Sequence, residues 1–319
     1  MNQILMGQAF NDALQANFGF AEKQASIIEA DVYKIRYPEL NYQEMIPVDF
    51  SGGEWAKSVT YYSIDTYGKA GWLNGNASDI PVVGMAMEQF ETGVHTAGIG
   101  YDWGFEEINQ ARMLGVDLDG TKAAAARRAY DQMVYDIAFT GDTPKGFQGL
   151  YNYTGVPQAS VAADGTGSST LWANKTGDLM ARDVNALLVG LHTATKTTEL
   201  ADTLLLPVER LMTLATTRIG ANSDMTVLKF LQENNVYTAQ TGQPLTIRGK
   251  RNMLTIGVGS TARMIAYRRS PEVLKLRIPM PHRFLPTQVE GLRFVRPGIF
   301  RLGGLDVRLP KAISYGDGI

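Results

Sequence analysis

The sequence predicts an α+β fold, on three observations. One long amphipathic helix is written over Thr121 to Thr140, strand-like segments crowd the chain from Leu245 to its end, and an extended aromatic-rich hairpin stands near the start. Helix and strand patterns are thus grouped along the chain and not alternated, which separates α+β from parallel α/β folds. No internal repeat is seen.

Taken in order, residues 1–53 read as an arm. A short helical stretch (Ile4, Leu5, Phe10, Leu14) precedes Tyr37-Pro38 and Ile46-Pro47, which break regular structure. Residues 54–98 read as the hairpin. Between Trp55 and Ile64 the residues are mostly β-branched or aromatic, and Trp55, Val59 and Tyr61 share one face. Gly68, Gly71 and Asn74-Gly75 supply turns before a second extended run near Ile80. A hairpin of this size is marginal alone in water, so it must lie on the rest of the chain or on a neighbouring copy.

Residues 99–154 begin with a period-2 strand, in which Ile99, Tyr101, Trp103 and Phe105 alternate with Gly100, Asp102 and Gly104. The glycines on its second face predict a closely packed backbone. In the helix 121–140, Ala126, Tyr130, Met133, Val134 and Ile137 share a face. Asp119 or Thr121 is expected to cap it, Gly141 to end it and Pro144 to bar its continuation.

Residues 155–260 start with a Gly/Ser/Thr-rich boundary (155–177) and continue as an α/β lobe. Met180, Val184, Leu187, Leu188 and Leu191 mark an amphipathic helix, and Thr203–Leu206 a short buried strand. Pro207 is expected at the first position of a helix ended by Gly220, and Ser223 or Asp224 at the cap of another running to Leu231. PLTIRG, MLTIGVG, ARMIAYRR, VLKLRI, GLRFVRP and GIFRLGGLDVRLP then read as strands, with residues 261–319 as a closing run.

Composition bounds the chemistry. With no cysteine, disulfides, thiolate metal sites and cysteine nucleophiles are excluded. No stretch reaches the ~18 apolar residues of a membrane span, and the N-terminus lacks a signal-peptide pattern, so synthesis in the cytoplasm is expected. The net charge of −2 conceals a split: from Arg248 onward 14 Lys+Arg face 4 Asp+Glu, leaving 16 against 28 before it. The simplest use of the split is that acidic and basic parts meet, within one chain or between copies. A nucleic-acid face is the other reading.

No catalytic, cofactor or metal site is expected. Gly257–Ala262 (GVGSTA) fits the dinucleotide pattern, but ARMIAYRRSP follows it as a strand, and Leu276, Arg277 and Ile278 stand where an acidic residue belongs. His95, His192 and His282 are isolated from one another, and Glu106-Glu107 fits the first turn of a helix better than an acid/base pair. The balance favours a structural protein.

In their order these elements resemble the major capsid proteins of tailed double-stranded DNA phages. SIDTYGKAGWL…ASDIPVVGM is similar to the hairpin, or E-loop, of one capsid family, and GDTPKGFQGLYN to the turn after its spine helix. TLLLPVERLMTLA resembles its axial-domain strand and helix, and the stretch from VLKLRIPMP to the final GDGI its closing strands. The resemblance implies an N-terminal arm, an E-loop, a peripheral domain with a spine helix at 121–140, and an axial domain. It implies hexamers and pentamers forming an icosahedral shell around DNA held by non-specific charge, located in the virion.

By the same resemblance the hairpin lies across an adjacent subunit, making Trp55, Tyr61, Tyr62 and Trp72 candidate intersubunit contacts. A separate scaffolding protein, a portal and a decoration protein are implied partners, with no membrane and no cofactor. Some members cross-link their hairpins through lysine and asparagine; Lys57, Lys69, Asn74 and Asn76 lie in the right region, but such residues are common in turns and no cross-link is expected. The rivals are an encapsulin shell holding a cargo enzyme, a nucleotide-binding enzyme using Gly257–Ala262, and a tail or connector protein.

Overall fold

The computed structural model describes residues 40–73, 80–114 and 117–319. The helical stretch around Ile4–Leu14, Tyr37-Pro38, the Asn74-Gly75 turn and Asn76 lie outside these residues.

The long helix runs from Leu118 to Phe139. Its cap is Asp117, and not Asp119 or Thr121: the Asp117 carboxylate accepts the Gly120 N–H at 2.9 Å. Asp119 is engaged elsewhere, accepting from the Tyr101 hydroxyl at 2.7 Å. Ala126, Tyr130, Val134 and Ile137 are buried as their spacing predicts, while Met133 is exposed. In the last turns Tyr135, Ala138 and Phe139 are buried as well, so this end of the helix enters the core. Gly141 follows with φ +83°, a conformation suited to glycine directly after a helix. A small two-stranded turn then brings Gly149 back against the Phe139 carbonyl. Leu150 and Tyr151 donate to the carbonyls of Ala138 and Phe139, at 2.9 and 2.8 Å, satisfying acceptors that a helix end leaves open.

A five-stranded sheet is the backbone of the rest. Its order is Thr246–Lys250, Thr203–Pro207, Arg263–Tyr267, Ile313–Asp317 and Gln158–Ser160. The apolar run of the second strand is explained by burial on both faces. Leu205, Ile265, Tyr267, Ile313 and Tyr315 face one core with the long helix, Leu274, Leu276 and Phe300. Leu204, Leu206, Ile247, Met264 and Ala266 face a second core with Trp172 and the helix Gly177–Ala194. One sheet thus divides two cores, and it draws strands from both the expected lobe and the closing run.

Several local expectations are corrected. Pro207 ends its strand and caps the helix Val208–Thr216 from outside, and that helix stops well before Gly220. The next helix, Val227–Glu233, is capped by Thr226, not by Ser223 or Asp224, which lie in the turn before it. MLTIGVG is not a strand: Asn252 at φ +62° and Gly259 at φ +66° break the extended backbone, and Met253 is buried without a ladder partner. The boundary segment 155–177 contributes the three-residue edge strand Gln158–Ser160. The closing run 261–319 also holds the strands Met280–Phe284, Gln288–Glu290 and Ile313–Asp317, which the local sequence does not mark individually.

The close backbone approach predicted from the glycines is met at Gly100, just before the strand Tyr101–Gly104, where a Cβ would lie 2.5 Å from the Arg296 carbonyl; at Gly104 there is open space. Phe105 already begins the helix Phe105–Leu114.

Candidate assembly surface

The hairpin pairs Ser58–Tyr67 with Gly84–Gly93 in one unbroken antiparallel register, from Ser58 opposite Gly93 to Tyr67 opposite Gly84. Ten residues per strand give a ribbon of about 30 Å. No third strand joins it among the described residues. Residues directly opposite share a face, so Tyr62, Ile64, Met85 and Met87 form an apolar stripe with Gln89 and Thr66. All four apolar members are exposed. The other face carries Val59, Tyr61 and Phe90 near the root, then Ser63, Glu88 and Asp65. Towards the tip, Trp72, Leu73, Ile80, Val82 and Val83 are exposed, and Trp72 is wholly so.

The root is held tightly. Arg301, buried, donates to the carbonyls of Glu54 (2.7 Å) and Val94 (3.4 Å) and to Thr96 Oγ1 (3.1 Å). Its guanidinium also lies 5.7 Å from the Trp55 ring centroid. Arg283 pairs with Glu54 at 3.2 Å, and Val94 N–H donates to the Lys57 carbonyl.

The four candidate contacts therefore fall into two places. Trp55 sits in a turn before the ribbon and not on its strand, exposed on its outer side and stacked over Arg301. Tyr61 is half-buried, stacked on Phe90 at 5.2 Å and covered by Arg308 at 5.4 Å. Burial, and next the Asp306 carboxylate, push its pKa up to about 12. Tyr62 lies on the exposed stripe, and Trp72 near the tip. Met85 and Met87 on the return strand, and Val82 and Val83 just before it, are further exposed members not among the four candidates, although the alternation of Met85 and Met87 about Ala86 is a strand signal. Phe105, Met113, Val289 and Leu292 are exposed as well, and Phe105 N–H donates to the Leu292 carbonyl.

Part of the charge split is consumed within the chain. Lys275 and Arg277 pair with Asp49 at 2.5 and 3.3 Å, Arg268 with Glu199 at 2.7 Å, and Arg293 with Asp102 at 2.7 Å. Burial opposes ionisation of Asp49, but hydrogen bonds from Lys275 and Ser51 outweigh it and lower its pKa to about 2. Within the C-terminal part, Arg263 clasps Asp317 through two bonds of 2.6 and 2.9 Å.

That clasp also decides the glycine loop. Val258 N–H donates to Asp317 Oδ2 at 3.2 Å, so the loop already faces a carboxylate of its own chain. It leads into the strand Arg263–Tyr267, not a helix whose N-terminus could hold a pyrophosphate. His192 Nδ1 lies 2.9 Å from the Glu199 carbonyl, and His282 Nε2 lies 3.1 Å from that of Ile99. His282 packs among Tyr130, Phe284 and Phe300, and His95 edge-on to Phe147. Glu106 and Glu107 occupy a first helical turn, where Glu107 pairs with Lys122 at 2.6 Å. Among the described residues no group of three or more His, Cys, Asp or Glu could hold a metal. No helix there is long and apolar enough to cross a membrane.

Comparison with known proteins gives one family. The model of the major capsid protein family matches residues 68–319. No curated protein matches the chain. The capsid of Myoviridae phage XM1 is similar in structure, with a TM-score of 0.77 at 21% identity, over 93% of this chain and 98% of that one. The capsid of a native GTA particle gives 0.62 at 11% identity, over 92% and 94%. A virus-like particle from Pyrococcus furiosus gives 0.52 at 13% identity, over 86% and 92%.

Proposed function

This chain belongs to the major capsid protein family, and from that premise we propose that it builds the icosahedral head of a tailed phage around double-stranded DNA. The observation that carries the reading is the ribbon: about 30 Å of hairpin whose apolar stripe and tip-side residues are exposed, with no covering among the described residues. Large exposed apolar surface of this kind marks an interaction site. A neighbouring copy presents the same surfaces in the same geometry, and head-to-tail contacts between identical subunits close into rings, here hexamers and pentamers. Trp55, Tyr62 and Trp72 are the exposed aromatic candidates for that contact.

The core shared by the long helix serves as the peripheral part and the core around Trp172 as the axial part of each subunit. Ion pairs within the chain absorb part of the basic excess, and the genome meets the shell only through diffuse charge and counterions. A separate scaffolding protein, a portal and a decoration protein are partners of this scheme, and the chain is made in the cytoplasm of the bacterial host. A storage shell is not favoured, because the matching family is that of major capsid proteins. The test is electron microscopy of the purified chain and of a ribbon-tip variant, Trp72→Ser. Closed shells from the first and unassembled subunits from the second support the reading; equal assembly of both sinks it.

A further inference from the structure

Along the ribbon, side-chain engagement with the body stops at one row. Outward from the Tyr61–Phe90 pair, no side chain of the two strands makes a hydrogen bond, ion pair or ring contact to the body among the described residues. At that row the hold is specific. The Tyr61 ring is nearly parallel to Phe90, at 16°, and Arg308 covers it with its guanidinium. Arg308 Nε lies 3.7 Å from Asp306 Oδ2. Asp306 is buried and is itself fixed by Arg277 at 2.9 and 3.2 Å, and Arg277 reaches Asp49. A chain of contacts therefore runs from the last held row of the ribbon into the strand system that carries Asp306.

We infer that Tyr61 is a positioning residue: through Arg308 it sets the angle at which the hairpin leaves the body, and so which surface of a neighbouring subunit the tip reaches. The inference rests on the reading of the ribbon as the assembly element. A two-stranded ribbon has little stiffness of its own and twists readily. With about 20 Å of ribbon beyond Tyr61, a 10° change there moves the far end by about 3.5 Å, which is more than close packing tolerates. Tyr61 and Tyr62 thus have opposite duties, one facing its own body and the other free for a neighbour.

The experiment compares the full chain with Tyr61→Ala, Tyr61→Phe, Arg308→Gln and Trp72→Ala. Hydrogen exchange is read on unassembled subunits and particle diameter by electron microscopy. Loss of the stacked ring or of its cation should speed exchange of the amides flanking Tyr61 and Phe90 by about tenfold. It should also give particles of mixed diameter or open sheets, while Tyr61→Phe, which keeps the ring, behaves as wild type. If Tyr61→Ala fails to fold, Arg308→Gln, at a side chain open to solvent, carries the test. Uniform particles of wild-type diameter from Arg308→Gln and from any folded Tyr61→Ala overturn the inference, whatever the exchange shows. In that event, blocked assembly of Trp72→Ala leaves the ribbon reading standing, whereas normal assembly of Trp72→Ala removes that reading too.

Discussion

Trp72→Ala is the sharpest single perturbation of the ribbon. The indole is wholly exposed in the subunit, so its removal costs the isolated chain nothing that burial supplies. Seated on a neighbour, a tryptophan covers about 150–250 Å². At ~25 cal/mol per Å² that is about 4–6 kcal/mol, of which truncations at interface hot spots typically recover 2–4 kcal/mol. A loss of about 3 kcal/mol per contact corresponds to roughly 100-fold in affinity. In the proposed ring each subunit donates one hairpin and receives one, so the concentration needed for assembly should rise by about that factor. Light scattering against protein concentration reads the threshold, and urea melts of unassembled subunits should stay within ~0.5 kcal/mol of wild type. An unchanged threshold would mean that Trp72 makes no such contact, and a raised threshold accompanied by an equal loss of subunit stability would mean that its role lies within the subunit.

Other expectations follow from the same contacts. Arg263→Ala strands the buried Asp317 carboxylate, and urea melts should show a loss of about 3–5 kcal/mol. Gly100→Ala drives a methyl against the Arg296 carbonyl and should cost about 1–3 kcal/mol, whereas Gly104→Ala, facing open space, should not share that clash. The lowered pKa of Asp49 stabilises the fold above its unfolded value near 4, and that contribution disappears as pH falls towards 2. Thermal melts between pH 6 and pH 2 should therefore decline more steeply for wild type than for Asp49→Asn. Nucleoside triphosphates and dinucleotides should leave the melting temperature unchanged, because Asp317 already faces the glycine loop; a shift of several degrees would revive the nucleotide-binding reading.

Periodicity made the long helix legible, since twenty residues of consistent spacing outweigh any local ambiguity. Its start was not legible. Asp117, Asp119 and Thr121 are all plausible caps, and only the tertiary bond from Tyr101 to Asp119 separates them. The strand Thr203–Pro207 was readable as an apolar run, but not the fact that its two faces serve different cores. MLTIGVG misled because Met253 and Ile256 face a core without joining a ladder. The hairpin was visible in its β-branched and aromatic residues. Parity set Tyr61 and Tyr62 on opposite faces, yet parity cannot say which face meets the body. That depends on Arg308 and Asp306, some 245 residues away in sequence. Pairs such as Lys275 with Asp49 are equally invisible to any local pattern.

In the proposed shell the ribbon joins one subunit to the next. A cryo-electron microscopy reconstruction of particles formed by the purified chain, with its scaffold if needed, tests it most directly. Closed shells are expected, in which the stripe of Tyr62, Ile64, Met85 and Met87 and the tip-side Trp72 are buried on an adjacent subunit. Shells in which that stripe stays in solvent, or a chain that remains monomeric at high concentration with its scaffold present, would contradict it.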